Sequence, residues 1–127
     1  MKQVLHLILA GIAFTWALPM PLLAATTTLI PEGAVWKYLD DGSDQGTAWR
    51  EPAFSDTGWQ SGAAQLGYGD GDETTLLSFG PNDNDKYVTT YFRHTFNVPD
   101  ASIFQSARLR VLRDDGVIVY LNGVEIV

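Results

Sequence analysis

The segment RLRVLRDDGVIVYLNGVEIV, Arg108 to Val127, decides the fold of this chain. Within it, Asn122-Gly123 separates two apolar runs and predicts a β-hairpin, because Asn and Gly best tolerate the two positive φ angles of a type I′ turn. A two-residue turn also fixes the register of the two strands. The facing pairs are Leu121 with Val124, Tyr120 with Glu125, and Val119 with Ile126.

One side of this predicted ribbon carries only apolar side chains, so we expect that side to pack against a core. Its members are Val117, Val119, Leu121, Val124 and Ile126. A second turn is predicted at Asp114-Asp115-Gly116, where glycine suits a left-handed conformation. The preceding run, Arg108 to Arg113, would then pair with Val117 to Leu121 as a third strand.

Short strands alternate with turn-rich stretches in the rest of the chain. Strands are predicted at Thr27 to Pro31, Ala34 to Leu39, Ala63 to Tyr68, Thr75 to Phe79 and Tyr87 to Val98. Residues 40–62 are rich in Gly, Asp and Ser and predict loops whose isolated aromatic side chains anchor in a core. A single helical turn is predicted within Ala101 to Gln105. The pattern indicates an all-β fold, most simply a two-sheet sandwich.

Residues 1–25 have the layout of a secretory signal peptide, with Lys2, an apolar run from Val4 to Leu23, and Ala24-Ala25 before a polar segment. An uncleaved membrane anchor is the alternative, because the apolar run has about the ~20 residues that a spanning helix needs. Pro19 and Pro21 favour cleavage. The chain has no cysteine, so an exported domain must be held together by its core, which is commoner for bacterial export than for small disulfide-rich secreted scaffolds. We therefore expect a secreted, periplasmic or cell-surface protein.

The charge of the chain limits its partners. Fifteen acidic against eight basic residues give a formal net charge of −7, and an acidic chain repels the phosphates of nucleic acids. Contact with a membrane is expected only through the N-terminal segment, if that segment is retained.

Five motifs occur in order along the chain. They are Trp49, the run Phe54 to Trp59 (FSDTGW), the run Leu66 to Glu73 (LGYGDGDE), Tyr91 to Arg93 (YFR), and Asp114 to Gly116 (DDG) with Val119 to Gly123 (VYLNG). This order resembles the galactose-binding-like jelly-roll modules of exported bacterial proteins, found beside metallophosphoesterase and lamin-tail domains. The resemblance implies a jelly-roll β-sandwich over residues 26–127. Such modules continue past the hairpin, so we expect missing C-terminal strands and downstream domains of the same polypeptide.

Three carboxylates lie within four residues of a glycine-rich loop, at Asp70, Asp72 and Glu73. Closely spaced oxygen ligands suit Ca²⁺, and the resembled modules often carry a structural calcium. A solvated acidic turn is the plain alternative. Weaker candidates of the same kind are Asp40, Asp41 and Asp44 and the run Asn82 to Asp85.

Four residues are predicted to contact a sugar. Trp59 and Tyr68 could stack on a pyranose ring, although aromatic residues more often fill a core. Asp114 and Asp115 could accept hydrogen bonds from sugar hydroxyls, although an Asp at a turn usually accepts hydrogen bonds from the local backbone.

No catalytic set is assembled by the sequence. His94 is the one histidine after residue 25, and we expect it to be half-buried. A zinc site usually needs two or three His or Cys ligands, and a Ser-His-Asp triad needs a reachable histidine. We therefore predict a non-catalytic accessory or adhesion module that binds carbohydrate. Two alternatives stay open: the N-terminal non-catalytic part of an exported metallophosphoesterase or other hydrolase, with its catalytic domain beyond residue 127, and a purely structural packing module.

Overall fold

The computed structural model describes residues 26–127, and the predicted signal peptide lies outside the described residues. The strands are β1 (Val35–Leu39), β2 (Gln60–Ala63), β3 (Leu66–Gly67), β4 (Thr75–Leu76), β5 (Tyr91–Arg93), β6 (Tyr120–Leu121) and β7 (Val124–Glu125). The helical elements of the described part are two 3₁₀ turns, Ala48–Arg50 and Ala101–Ile103. The all-β class is confirmed. The second turn agrees with the helical turn predicted in that segment.

The central sheet has the order β2-β1-β5, with both pairs antiparallel. Strand β1 (VWKYL) forms where the sequence predicts it, because alternating bulky and β-branched residues suit a pleated sheet. Lys37 faces Ser61 on β2 and Arg93 on β5. Strand β5 keeps only three residues of the predicted twelve-residue strand.

Strands β3 and β4 form a short parallel pair beside this sheet, with Leu66 facing Thr75. Thr75 Oγ1 donates a hydrogen bond of 2.8 Å to the carbonyl of Ala63 at the end of β2. A Cβ on Gly62 would overlap the Thr75 side chain. The absence of a side chain at Gly62 is therefore what lets β4 lie so close to the central sheet.

Aromatic side chains from the loop between β1 and β2 form the core with β5. Trp59 is buried with 8% of its surface exposed, and Tyr91 on β5 is buried beside it. The ring centroids of Trp59 and Tyr91 are 6.2 Å apart, and those of Trp49 and Tyr91 are 5.1 Å apart. Phe54 meets Trp59 edge to face at 5.8 Å. The predicted role as a core anchor is confirmed for Trp59, whereas Trp49 and Phe54 are half-buried and pack against the core residues.

The C-terminal hairpin has the predicted turn and register. Asn122 and Gly123 both have positive φ, and Leu121 faces Val124 as Tyr120 faces Glu125. Beyond these pairs, the amide of Ile126 donates to the Val119 carbonyl, whereas the amide of Val119 donates to Val127. The third predicted pair, Val119 with Ile126, is therefore replaced by a bulge in which Val119 lies opposite both Ile126 and Val127.

The face of the ribbon that packs is the opposite of the predicted one. Tyr120 lies edge to face on Trp49 at 5.6 Å, and the guanidinium of Arg50 lies 4.7 Å from the centre of the Tyr120 ring. Leu121, Val124 and Ile126 are 45%, 65% and 50% exposed. The prediction that this apolar side meets a core is therefore wrong for Leu121, Val124 and Ile126, whereas Val117 and Val119 are half-buried. The tyrosine on the polar side fits the aromatic loop, and the aliphatic side chains near the turn find no comparable surface.

Two predicted strands do not form. Thr27 to Pro31 and Arg108 to Arg113 have no strand pairing, so the three-stranded meander was wrong. In the second segment, Leu109, Val111 and Leu112 are all exposed. The alternation of apolar and polar residues there therefore does not correspond to a buried face. At the following turn the positive φ belongs to Asp115 rather than to Gly116. The jelly-roll arrangement stays a prediction.

Candidate functional site

A groove lies at one end of the central sheet, between the loop that follows β1 and the loop that precedes β5. Leu39 and Tyr91 face each other at the end of the β1–β5 pair, so both loops leave the sheet at the same edge. The groove has a volume of about 660 Å³. It is lined by Gly42, Ser43, Asp44, Pro81, Asn82, Asp85, Lys86, Tyr87, Val88, Thr89 and Tyr91.

The first loop is held over the groove by Asp44. Its Oδ1 accepts a hydrogen bond from the amide of Gly46 at 2.8 Å and a longer one from the Tyr91 hydroxyl at 3.4 Å. The same hydroxyl accepts from the amide of Gln45 at 3.3 Å. Because Tyr91 is buried in the core, these bonds tie the position of the Asp44 carboxylate to the sheet.

Tyr87 closes the groove between the two loops. Its ring packs directly on Gly42, where a Cβ would overlap it, and a Cβ on Gly80 would lie 3.1 Å from the ring. Both glycines have positive φ, +78° and +104°, a conformation that other residues rarely adopt. The amide of Tyr87 also donates to the carbonyl of Phe79 at 2.9 Å.

A tight turn presents the polar side chains of the second loop. Asn82 Oδ1 accepts from the amide of Asn84 at 3.0 Å, and the Asn82 carbonyl accepts from the amide of Asp85 at 3.0 Å. This Asx turn fixes the backbone, so that Asp85 is exposed and lines the groove.

Lys86 lies at the rim of the groove on a second aromatic pair. Its Nζ is 4.9 Å from the centre of the Tyr68 ring and 5.6 Å from that of Phe79, and the two rings are 5.2 Å apart. The quadrupole of each ring attracts the ammonium group. Tyr68, one of the predicted sugar-contacting residues, is therefore half-buried and adjoins the groove through Lys86.

The groove combines the groups that recognise sugar hydroxyls. Asp44 and Asp85 carry carboxylates, which accept hydrogen bonds, and Asn82 carries an amide. Ser43 and Thr89 carry hydroxyls, which both donate and accept hydrogen bonds. The sequence predicts Asp44 and the run Asn82 to Asp85 only as separate, weaker cation candidates. The pairing of β1 with β5 brings the two loops together. The sequence of either loop alone does not predict that pairing.

The predicted calcium loop is organised by its own backbone. The Glu73 carboxylate accepts from the amides of Asp70 and Gly71, both at 2.9 Å. The hydrogen bond from the Asp70 amide, followed by those from the amides of Glu73 itself and of Gly71, holds the pKa of the Glu73 carboxyl below its ordinary value. Asp72 Oδ1 accepts from Gln65 Nε2 at 3.3 Å.

The calcium prediction at this loop remains untested by the geometry. Within residues 26–127, no group of three or more His, Cys, Asp or Glu side chains is placed to hold a metal ion. Both carboxylate oxygens of Glu73 already accept hydrogen bonds from backbone amides of the same loop, as in a turn stabilised by its own side chain. Calcium stays a prediction from the sequence.

The other predicted sugar-contacting residues lie away from the groove. Trp59 is a core side chain between Phe54 and Tyr91, so a stacking role for it has no open ring face here. Asp114 Oδ1 accepts from the amide of Asp115 at 2.9 Å, and the Asp115 carbonyl accepts from Arg113 Nη1. Both aspartates are exposed, and the contacts described for them are local to the turn.

His94 is half-buried, as the sequence predicts. Its Nδ1 lies 2.9 Å from the carbonyl of Val35, and its ring lies 4.9 Å from that of Trp36. Because a carbonyl only accepts, Nδ1 carries the hydrogen and the ring is positioned by the sheet.

Within the part of the chain that the structure describes, no helix is long and apolar enough to span a membrane. No protein-family description, curated protein or solved structure matches the chain.

Proposed function

We propose that this chain is a non-catalytic carbohydrate-binding module of an exported protein, and that the groove between the 42–44 loop and the 81–89 loop is its ligand site. The observation that carries the proposal is the convergence of Asp44, Asn82 and Asp85 on one groove beside Tyr87. The volume of about 660 Å³ is within the range of small-ligand sites, ~300–1,000 Å³.

The chemistry of the groove favours a neutral glycan. Sugar hydroxyls donate to carboxylate oxygens and exchange hydrogen bonds with amides and hydroxyls. The carboxylates of Asp44 and Asp85 repel anionic groups, and the charge of Lys86 is directed to the rings of Tyr68 and Phe79. A ligand of the groove therefore presents hydroxyl groups rather than carboxylates or sulfates.

The resemblance to galactose-binding-like jelly-roll modules supports the same proposal by analogy of fold. The all-β architecture is compatible with it. The same resemblance is the basis for three further parts of the proposal: an accessory role, export to the periplasm or cell surface, and attachment to downstream domains.

The experiment is a binding comparison between two variants of one loop. The labelled chain is screened on immobilised neutral oligosaccharides, and the best ligand is used with Asp85→Ala and Asp83→Ala. Asp85 lines the groove, whereas Asp83 is exposed on the same turn and does not line it. We expect Asp85→Ala to weaken binding about 10-fold, as the loss of a charge-assisted hydrogen bond predicts, and Asp83→Ala to leave it unchanged.

Circular dichroism confirms that both variants fold. Failure of the wild-type chain to bind any neutral oligosaccharide overturns the proposal. Equal binding by both variants places the ligand elsewhere and overturns the assignment of the groove.

A further inference from the structure

A second, smaller cavity lies on the side of the central sheet that carries Lys37 and Arg93. It has a volume of about 310 Å³ and is lined by Val35, Lys37, Asp56, Arg93, His94 and Thr95. We call it the cationic pocket. It is separate from the groove, because none of its lining residues lines the groove.

The register of β1 and β5 places two positive charges side by side. Lys37 faces Arg93 directly across the strands, and facing residues of an antiparallel pair point to the same side of the sheet. Like charges in this position destabilise a sheet. The arrangement occurs in a chain with only eight basic residues and a net charge of −7.

One of the two charges is compensated within the pocket. Arg93 Nε lies 3.0 Å from Asp56 Oδ2, with side-chain exposures of 15% and 30% for Arg93 and Asp56. Lys37 Nζ donates only a long hydrogen bond, 3.4 Å, to the neutral carbonyl of Trp59. The lining of the pocket thus retains one uncompensated positive charge.

Several donors remain for a ligand. Arg93 donates from Nε to Asp56 and from Nη1 to the carbonyls of Trp49 and Glu51. Within residues 26–127, Nη2 of Arg93 donates no hydrogen bond and is available to a ligand in the pocket. Lys37 Nζ has three hydrogens and one described acceptor. The Thr95 hydroxyl adds a further donor at the exposed rim.

We propose that the cationic pocket binds one carboxylate group of a small organic acid, held by Lys37 with Arg93 and Thr95. The single excess charge matches a monoanion. The overall charge of −7 opposes the approach of multiply charged anions such as phosphate or sulfate. The proposal does not depend on the glycan groove.

The experiment is an NMR titration of the full chain with sodium acetate, at constant ionic strength maintained with sodium chloride. We expect saturable shifts of the amides of Lys37, His94 and Thr95, with a dissociation constant on the order of 10 mM because the charges are partly solvated. Phosphate at equal ionic strength is expected to bind more weakly than acetate.

Lys37→Gln should weaken acetate binding at least about 10-fold, since it removes the uncompensated charge. Lys86→Gln, which changes the rim of the groove, should leave it unchanged. Shifts that rise linearly with acetate, shifts reproduced by chloride alone, tighter binding of phosphate, or an unaltered constant in Lys37→Gln would each overturn the proposal. The wild-type comparison of acetate with chloride decides the question even if Lys37→Gln fails to fold.

Discussion

Arg93 connects strand β5 to the loop between β1 and β2 through contacts of three kinds. Its guanidinium pairs with Asp56 at 3.0 Å, donates to the carbonyls of Trp49 and Glu51, and lies 5.3 Å from the centre of the Phe54 ring. A planar group with several fixed donors is needed for all of these at once. The sequence singles out the YFR motif but gives no means of naming these partners.

Replacing this arginine should destabilise the fold. We expect Arg93→Met to lower the free energy of unfolding by about 2 kcal/mol, because it leaves Asp56 partly buried without its cation and frees the loop. Urea denaturation measures the change. Arg110→Met is the matched control, since Arg110 pairs with Glu32 at 3.7 Å with both side chains more than four-fifths exposed, and such pairs contribute little. Equal losses in the two variants would contradict the role of Arg93.

Gly42 is required by the Tyr87 ring as well as by its backbone. A Cβ at Gly42, whose φ is +78°, would overlap that ring, whereas one at Gly46, with φ +57°, meets nothing within 4 Å. We expect Gly46→Ala to cost about 1 kcal/mol for the backbone alone and Gly42→Ala to cost about 1–3 kcal/mol more for the overlap. Thermal unfolding compares the two. Indistinguishable costs would show that Tyr87 does not pack there.

The Glu73 carboxylate should make stability depend on pH. Backbone hydrogen bonds from Asp70 and Gly71 lower the pKa of this carboxyl in the folded chain. A lowered pKa means that the contribution is complete above the ordinary pKa of a glutamate and is lost as the pH falls through the lower pKa of the folded chain. The difference in unfolding free energy between the wild type and Glu73→Gln should therefore be positive at pH 6 and shrink toward pH 3. A difference that stays constant over this range would contradict the capping role.

Among the elements, the sequence predicts best where local pattern and turn chemistry coincide. Strand β1 and the hairpin register follow from alternation and from Asn122-Gly123, and both are present in the structure. The sequence does not predict strand β2 (QSGA), because none of its residues is β-branched or aromatic; the strand forms through its pairing with β1. Residues 108–113 are the reverse case. Their apolar and polar side chains alternate as in a strand, but the segment forms no strand because it pairs with none of the described strands.

The packing of the hairpin can be tested by comparing its two faces. Tyr120→Ala removes the contacts with Trp49 and Arg50 and should cost about 2 kcal/mol, from aromatic burial and the cation–π contact. Leu121→Ala, on the predicted but exposed face, should cost less than about 1 kcal/mol. Chemical denaturation of both variants gives the answer. A larger loss for Leu121→Ala would restore the face that the sequence predicts.

The candidate groove shows why sites are harder to predict than strands. Asp44 and Asp85 are separated by forty residues of sequence that include β2, β3 and β4. Their loops meet because β1 and β5 are neighbours in the sheet, and that order is a property of the whole fold. Trp59 is the opposite case, since its loop position allows either an accessible ring or a core anchor, and the structure buries it in the core.

At the scale of the whole molecule, a small aromatic core supports two separate polar surfaces. The core joins the loop between β1 and β2 to strand β5, the groove lies at one end of that sheet, and the cationic pocket lies beside Lys37 and Arg93. A net charge of −7 favours neutral ligands in the groove, whose own side chains are mainly acidic. Recognition of a neutral glycan without catalysis is the central claim that this arrangement supports.

The most direct test of that claim is an NMR titration of the chain with the oligosaccharide that binds best. We predict saturable shifts confined to the amides of residues 42–46 and 80–91, and unchanged anomeric signals of the sugar over a day. Shifts centred on residues 70–73 or 114–115 would contradict the groove as the binding site. New anomeric signals from a cleaved product would contradict binding without catalysis.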